Sequence, residues 1–168
     1  EEVFVHHNNA RYYGGGIFLH DQGEPLFNKV TVIGNRAPSG GGGMITNDGS
    51  SPRIVNSIFH GNFPNQIMLN SDPQDDPDTV MVAYTNIQGG LAGINIGPGE
   101  LNWLEGNTST DPCFTGIEDE LHASSSCINS GTALFTFEEE TWIDMASSEY
   151  VGSAPDMGSF ELPPTPTV

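Results

Sequence analysis

The sequence is poor in positive charge. Of 168 residues only four are Lys or Arg, none follows Arg53, and 22 are Asp or Glu, for a formal net charge of -18. Such a surface repels nucleic-acid phosphate, anionic lipid and acidic polysaccharide. DNA and membrane surfaces are therefore poor partners, whereas divalent cations, or a saline medium that screens self-repulsion, suit it. No apolar run is long enough to cross a bilayer, and no signal-peptide pattern opens the chain. The chain begins at Glu1 rather than Met, which fits a processed or excised product. Charged residues make up 15%, too few for long amphipathic helices. Glycine (21) and proline (12) are abundant instead. Turn residues punctuating short β-branched and aromatic runs indicate an all-β chain, and the length suffices for one domain with a core.

A repeat organises these runs. Shifted by 27 residues, Gly14, Gly15 and Gly16 fall on Gly41, Gly42 and Gly43, Asp21 on Asp48, and Pro25 on Pro52. Val3, Val5 and Asn8 likewise fall on Val30, Val32 and Asn35, and Gly34 and Asn35 on Gly61 and Asn62. A fixed period of this size marks a repeat architecture. Two or three short strands per unit and no helix specify a β-solenoid whose coils stack about 4.8 Å apart in parallel. Asn8, Asn35 and Asn62 then form an amide ladder, and the glycine runs mark a place where backbones approach closely. The expected fold is a right-handed parallel β-helix of about 27 residues per rung and four to five rungs. Residues 1–161 form one domain, with repeats over 1–109 and a non-repetitive segment over 110–161; residues 162–168 read as a Pro/Thr-rich tail or linker.

The motifs "GGGI" (14–17), "GGGM" (41–44), "VIGN" (32–35) and "FHGN" (59–62) resemble the repeats of polymorphic outer-membrane proteins and of secreted parallel β-helix proteins. In the C-terminal half, "DPCF" (111–114), "SSSCINSG" (124–131) and "APDMGSFE" (154–161) follow in the order seen in the β-helix family called choice-of-anchor Q. Asn129 stands where that family commonly has Asp, and the usual Pro of the middle motif is absent. The resemblance implies secretion and attachment at a cell surface, and no single chemistry. It also places Cys113 and Cys127 in adjacent motifs on neighbouring strands, which implies a disulfide; two buried free thiols are the other reading.

Candidate metal ligands are acidic. Asp21 and Asp48 stack on one corner, and Asp72, Asp75, Asp76 and Asp78 lie in "SDPQDDPD" (71–78), a loop inserted at a corner. These oxygens suit Ca²⁺; a solvated acidic loop explains them equally. The histidines show no zinc spacing. No catalytic set is assigned, because uronate chemistry needs cations and a base, and four cationic residues are few. A secreted structural or adhesive module, binding at most a neutral glycan, is the expected function. A polysaccharide lyase or glycoside hydrolase on the same fold is the alternative. Val3, Phe4 and Val5 enter directly in repeat register, an edge able to accept another strand, so end-to-end self-association into a filament is expected.

Overall fold

A computed structural model of the chain describes residues 3–71, 76–116 and 120–163. Its first coil comprises β1 (Val3–His6), β2 (Ile17–Phe18) and β3 (Leu26–Asn28). The second comprises β4 (Val30–Ile33), β5 (Met44–Thr46) and β6 (Arg53–Val55), and the third β7 (Ile58–His60), β8 (Ile67–Leu69) and β9 (Thr79–Ala83). The fourth holds β10 (Asn86–Ile87), a single 3-10 turn (Gly90–Gly93), β11 (Ile94–Asn95) and β12 (Glu100–Trp103). Strands of the same rank stack into three parallel sheets, each four strands deep: sheet I (β1, β4, β7, β10), sheet II (β2, β5, β8, β11) and sheet III (β3, β6, β9, β12). The fold is a parallel β-solenoid.

The pairing register is the sequence repeat. Val3 lies beside Val30, Ile17 beside Met44 and Leu26 beside Arg53, each 27 residues on. From β1 to β10 the chain completes about three turns. A fifth coil is only begun, where Thr108 bridges to Asn86. Afterwards the chain leaves the solenoid and forms an antiparallel hairpin, β13 (Leu134–Phe137) and β14 (Glu140–Asp144).

Side chains alternate across each strand. Val30, Val32, Met44, Ile54, Phe59, Ile67, Leu69, Val80 and Val82 point inward and form the core. Each fully buried side chain of this kind contributes about 1.5–3 kcal/mol. The outward residues of β4, Thr31 and Ile33, are buried as well, because something covers this sheet from outside. Three corner columns carry the bends with left-handed backbone: His7, Gly34 and Gly61; Asp21 and Asp48; Lys29, Asn56 and Tyr84. Gly, Asn and Asp tolerate that conformation best.

The glycine runs answer to space. A Cβ on Gly42 would lie 2.2 Å from the carbonyl oxygen of Phe63, and one on Gly15 would lie 2.5 Å from that of Gly42. Each run thus passes directly against backbone of the next coil, Gly15 against Gly42 and Arg36, and Gly42 against Phe63. These connections between sheets I and II form a thin fin. On it stand Tyr12, Tyr13 and Phe63, each about half exposed. Arg11 stacks on Tyr12 and Arg36 on Phe63, with guanidinium-to-ring distances of 5.1 and 4.5 Å.

This separates two kinds of glycine. Gly42→Ala forces a Cβ into backbone and is predicted to cost about 3 kcal/mol or more in chemical denaturation. Gly61 has φ +66° but no neighbour nearer than 3.6 Å to an added Cβ, so Gly61→Ala costs only about 1–2 kcal/mol of backbone strain. Equal losses would contradict the close-approach account.

Candidate functional site

The amide column is continuous. Asn8 donates from its backbone N–H and from Nδ2 to Asn35 Oδ1, both at 2.9 Å. Asn35 repeats the pattern on Asn62 Oδ1 at 2.9 and 3.1 Å. Nδ2 of Asn35 and of Asn62 also reaches the carbonyls of Val5 and Val32, at 2.9 Å each. Beyond Asn62 the column passes to Gln66, whose Oε1 accepts at 2.8 Å, and from Gln66 to Gln88. Sequence reasoning stopped at Asn62 because both glutamines stand off the 27-residue register. A second column was missed altogether. The N–H of Val30 donates to Ser57 Oγ, that of Ser57 to Thr85 Oγ1, and that of Thr85 to Asn107 Oδ1. Its signal was the hydroxyl pair Ser57 and Thr85, spaced by 28.

The C-terminal motif is a clasp over sheet I. Phe160 packs edge-on against Phe4. Ser159 donates its N–H to Thr31 Oγ1, and Gly158 donates to the Asn56 carbonyl. Met157 is buried against Ile58, and Cys127 meets the Nδ2 of Asn86. Residues 157–160 thus cover the outward residues of successive coils, which explains the burial of β4 on both faces. Glu161 closes the clasp through an ion pair with Lys29. Asp156, 1% exposed, accepts the N–H groups of Asn129 and Leu162. Burial pushes its carboxyl above the ordinary aspartate range, and Glu161 adds to that. The donors Leu162 and Asn129, and Lys29, pull the other way. Beneath the clasp lies an open cavity of about 350 Å³ bounded by Ile128, Asn129, Val151 and Leu162.

The acidic residues divide. Asp72 and Asp75 lie outside the described residues. Asp78 is fully buried, and its two carboxylate oxygens accept the N–H groups of Ser50 (3.0 Å) and Asn70 (3.1 Å), so it closes a corner. Asp21 and Asp48 occupy equivalent corner positions on adjacent coils. The Asp48 carboxylate faces His20 at 2.9 Å. Asp76 is exposed one coil further along. Among the described residues, no three His, Cys, Asp or Glu side chains converge as a metal site.

The implied disulfide is not formed: Cys113 and Cys127 are both free thiols. Each is engaged separately. Cys113 Sγ donates to the carbonyl of Asp111, whereas Cys127 is fully buried among Ile58, Leu121 and Met157. Burial pushes the Cys127 thiol up to about 11, against the lowering effect of Ser125 and Asn86.

Among the described residues, nothing pairs with the outer side of the expected assembly edge. β1, β2 and β3 are each the terminal strand of their sheet. Val3 is 42% exposed, Phe4 is held by Phe160, and Val5, Ile17, Leu19 and Phe27 on this coil are only partly buried against the core. The hairpin makes a different feature. It packs Phe135, Trp142 and Ile143 onto Val55 and Ala83 of sheet III. Between the two runs a groove of about 310 Å³ lined by Glu24, Arg53, Phe137, Glu138, Glu140 and Trp142.

In comparisons with known proteins the chain matches no family model, no curated protein and no solved structure. The resemblance to choice-of-anchor Q proteins therefore rests on the motifs, and the fold rests on the structure.

Two predictions follow from the clasp. In native protein iodoacetamide should label Cys113 and spare Cys127 until denaturant is added, as mass spectrometry would read. Joint protection, or a Cys113–Cys127 peptide in unreduced protein, would contradict it. A raised aspartate pKa means that the folded state holds its proton more tightly than the unfolded state. Its stabilising effect is complete below the unfolded pKa of about 3.9 and is lost as pH rises through the folded value. The wild-type melting temperature should therefore fall relative to that of Asp156→Asn as pH rises from about 4; a constant difference would contradict the assignment.

Proposed function

We propose that the protein is a structural or adhesive β-solenoid module of a cell surface or the extracellular medium, associating end to end. The observation that supports this most is the first coil. Among the described residues its three strands have no partner on their outer side, which stands in the 27-residue register, and its inward residues are only partly buried. An incoming strand from a second copy would meet unsatisfied N–H and C=O groups and an apolar seat together. Such a contact joins unlike surfaces and so propagates as a filament. Charge asymmetry fits the same polarity: all four cationic residues precede residue 54, whereas 17 of the 22 acidic residues follow it.

The alternative, a carbohydrate-active enzyme, draws on the groove beside the hairpin. The only cationic side chain lining it is Arg53, which is engaged with Glu140 at 2.6 Å. That leaves it unsuited to take a proton, so lyase chemistry is the weaker reading.

Light scattering of the chain at physiological salt should show concentration-dependent oligomers. Val3→Lys with Val5→Lys, which places charge on the edge, should leave monomers with an unchanged strand spectrum. Monomers of the unsubstituted chain at every concentration, or assembly indifferent to the lysines, would overturn the reading. Calcium belongs to this proposal as an ion bound by the acidic loop of residues 71–78 or at the corner of Asp21 and Asp48. Chelation should then lower the melting temperature by mass action, and an unchanged value would remove calcium from the account.

A further inference from the structure

The hairpin has features that packing alone does not require. Its turn puts Glu138 (φ 48°) and Glu139 (φ 67°) consecutively in left-handed backbone. Two-residue turns of that kind favour Asn-Gly. Here the turn instead carries three successive carboxylates, Glu138 to Glu140, which repel one another. Two of the three line the groove, opposite Glu24 of the first coil. The wall between them is aromatic: Phe137 and Trp142 lie 5.4 Å apart, and Arg53 sits over the Trp142 ring at 5.5 Å. Trp142 is 8% exposed, and its indole N–H has no acceptor among the described residues.

The charges narrow what can enter. An anion would meet Glu24, Glu138 and a net charge of -18. A cationic ligand would be drawn by Glu24, Glu138 and Glu140 but would find the Trp142 face, its natural aromatic seat, already covered by the Arg53 guanidinium. A neutral polyhydroxyl ligand meets neither obstacle. Its hydroxyls can donate to Glu24 and Glu138, where charged acceptors make the stronger hydrogen bonds. They can accept from Arg53. Its C–H faces can pack on Phe137. A cavity of about 310 Å³ accommodates a short stretch of such a chain.

We infer that the groove between sheet III and the β13–β14 hairpin is a binding site for a neutral oligosaccharide. It binds without cleaving, and Glu138 and Arg53 supply an acceptor and a donor to the sugar hydroxyls. This goes beyond the assembly reading and involves no residue of β1, so the two stand or fall separately.

Trp142 is a built-in reporter once the second tryptophan is removed by Trp103→Phe. Its emission should change saturably on titration with at least one of cellohexaose, mannohexaose and maltohexaose. Calorimetric titration of the unsubstituted chain should give the same affinity. Hexagalacturonate and a chitosan hexamer should bind more weakly or not at all. Glu138→Gln, on an exposed turn, and Arg53→Gln should each weaken binding by about tenfold, the loss expected for one charged hydrogen-bond partner. Both variants should keep the wild-type strand spectrum. Reducing ends should not accumulate on prolonged incubation. The inference is overturned if none of the three neutral oligosaccharides binds. It is equally overturned if Glu138→Gln binds as tightly as wild type, if the chitosan hexamer binds more tightly than all three, or if the bound sugar is cleaved.

Discussion

The buried amide column at the first corner holds the coils in register. In a parallel solenoid each coil contacts only its neighbours, so register has to be set coil by coil. A one-residue slip would exchange the inward and outward faces of every strand. Asn35 is fully buried and ties its backbone N–H, its Nδ2 and its Oδ1 to residues on both adjacent coils. A buried amide left half-satisfied costs about 1–3 kcal/mol, so slipped registers are penalised at every coil. The hydroxyl column through Ser57 and Thr85 does the same at a second corner.

Given that register, the outer surface follows. Sheet I is covered by the clasp, with Phe4, Thr31, Ile58 and Asn86 each meeting a residue of the C-terminal segment. Sheet III receives the hairpin through Val55 and Ala83. Sheet II has the glycine fin beside it and keeps Phe18 half exposed. The C-terminal segment therefore covers two faces of the repeat and forms a groove beside the hairpin. The part-buried Lys29–Glu161 pair ties the C-terminal segment to the end of the first coil.

The solenoid was legible because its period is written in residues that only such a stack explains. Asn8, Asn35 and Asn62 are costly to bury singly and favourable in a column, and Gly15 and Gly42 admit no side chain. Features lying off the period were not legible. Gln66 and Gln88 end the amide column from other positions in the coil. Asp78, grouped by sequence with its acidic neighbours, was drawn inward by two backbone N–H groups. The cysteines were adjacent as motifs, yet Cys127 is buried against Leu121 and Met157 while the Cys113 thiol turns to the Asp111 carbonyl. The groove left no trace in the sequence either, since Glu24 and Glu138 are brought to one groove by a hairpin that belongs to no repeat.

Native-state hydrogen exchange at the backbone amide of Asn35 tests the registering role most directly. That N–H donates to the side-chain oxygen of Asn62 on the next coil, not to a strand partner. If the column holds the coils in register, this amide exchanges only by global unfolding, with the same free energy as the central amides of β4 and β7. Exchange at the rate of the exposed corner residues, while β4 remains protected, would show that the strands keep their register without it.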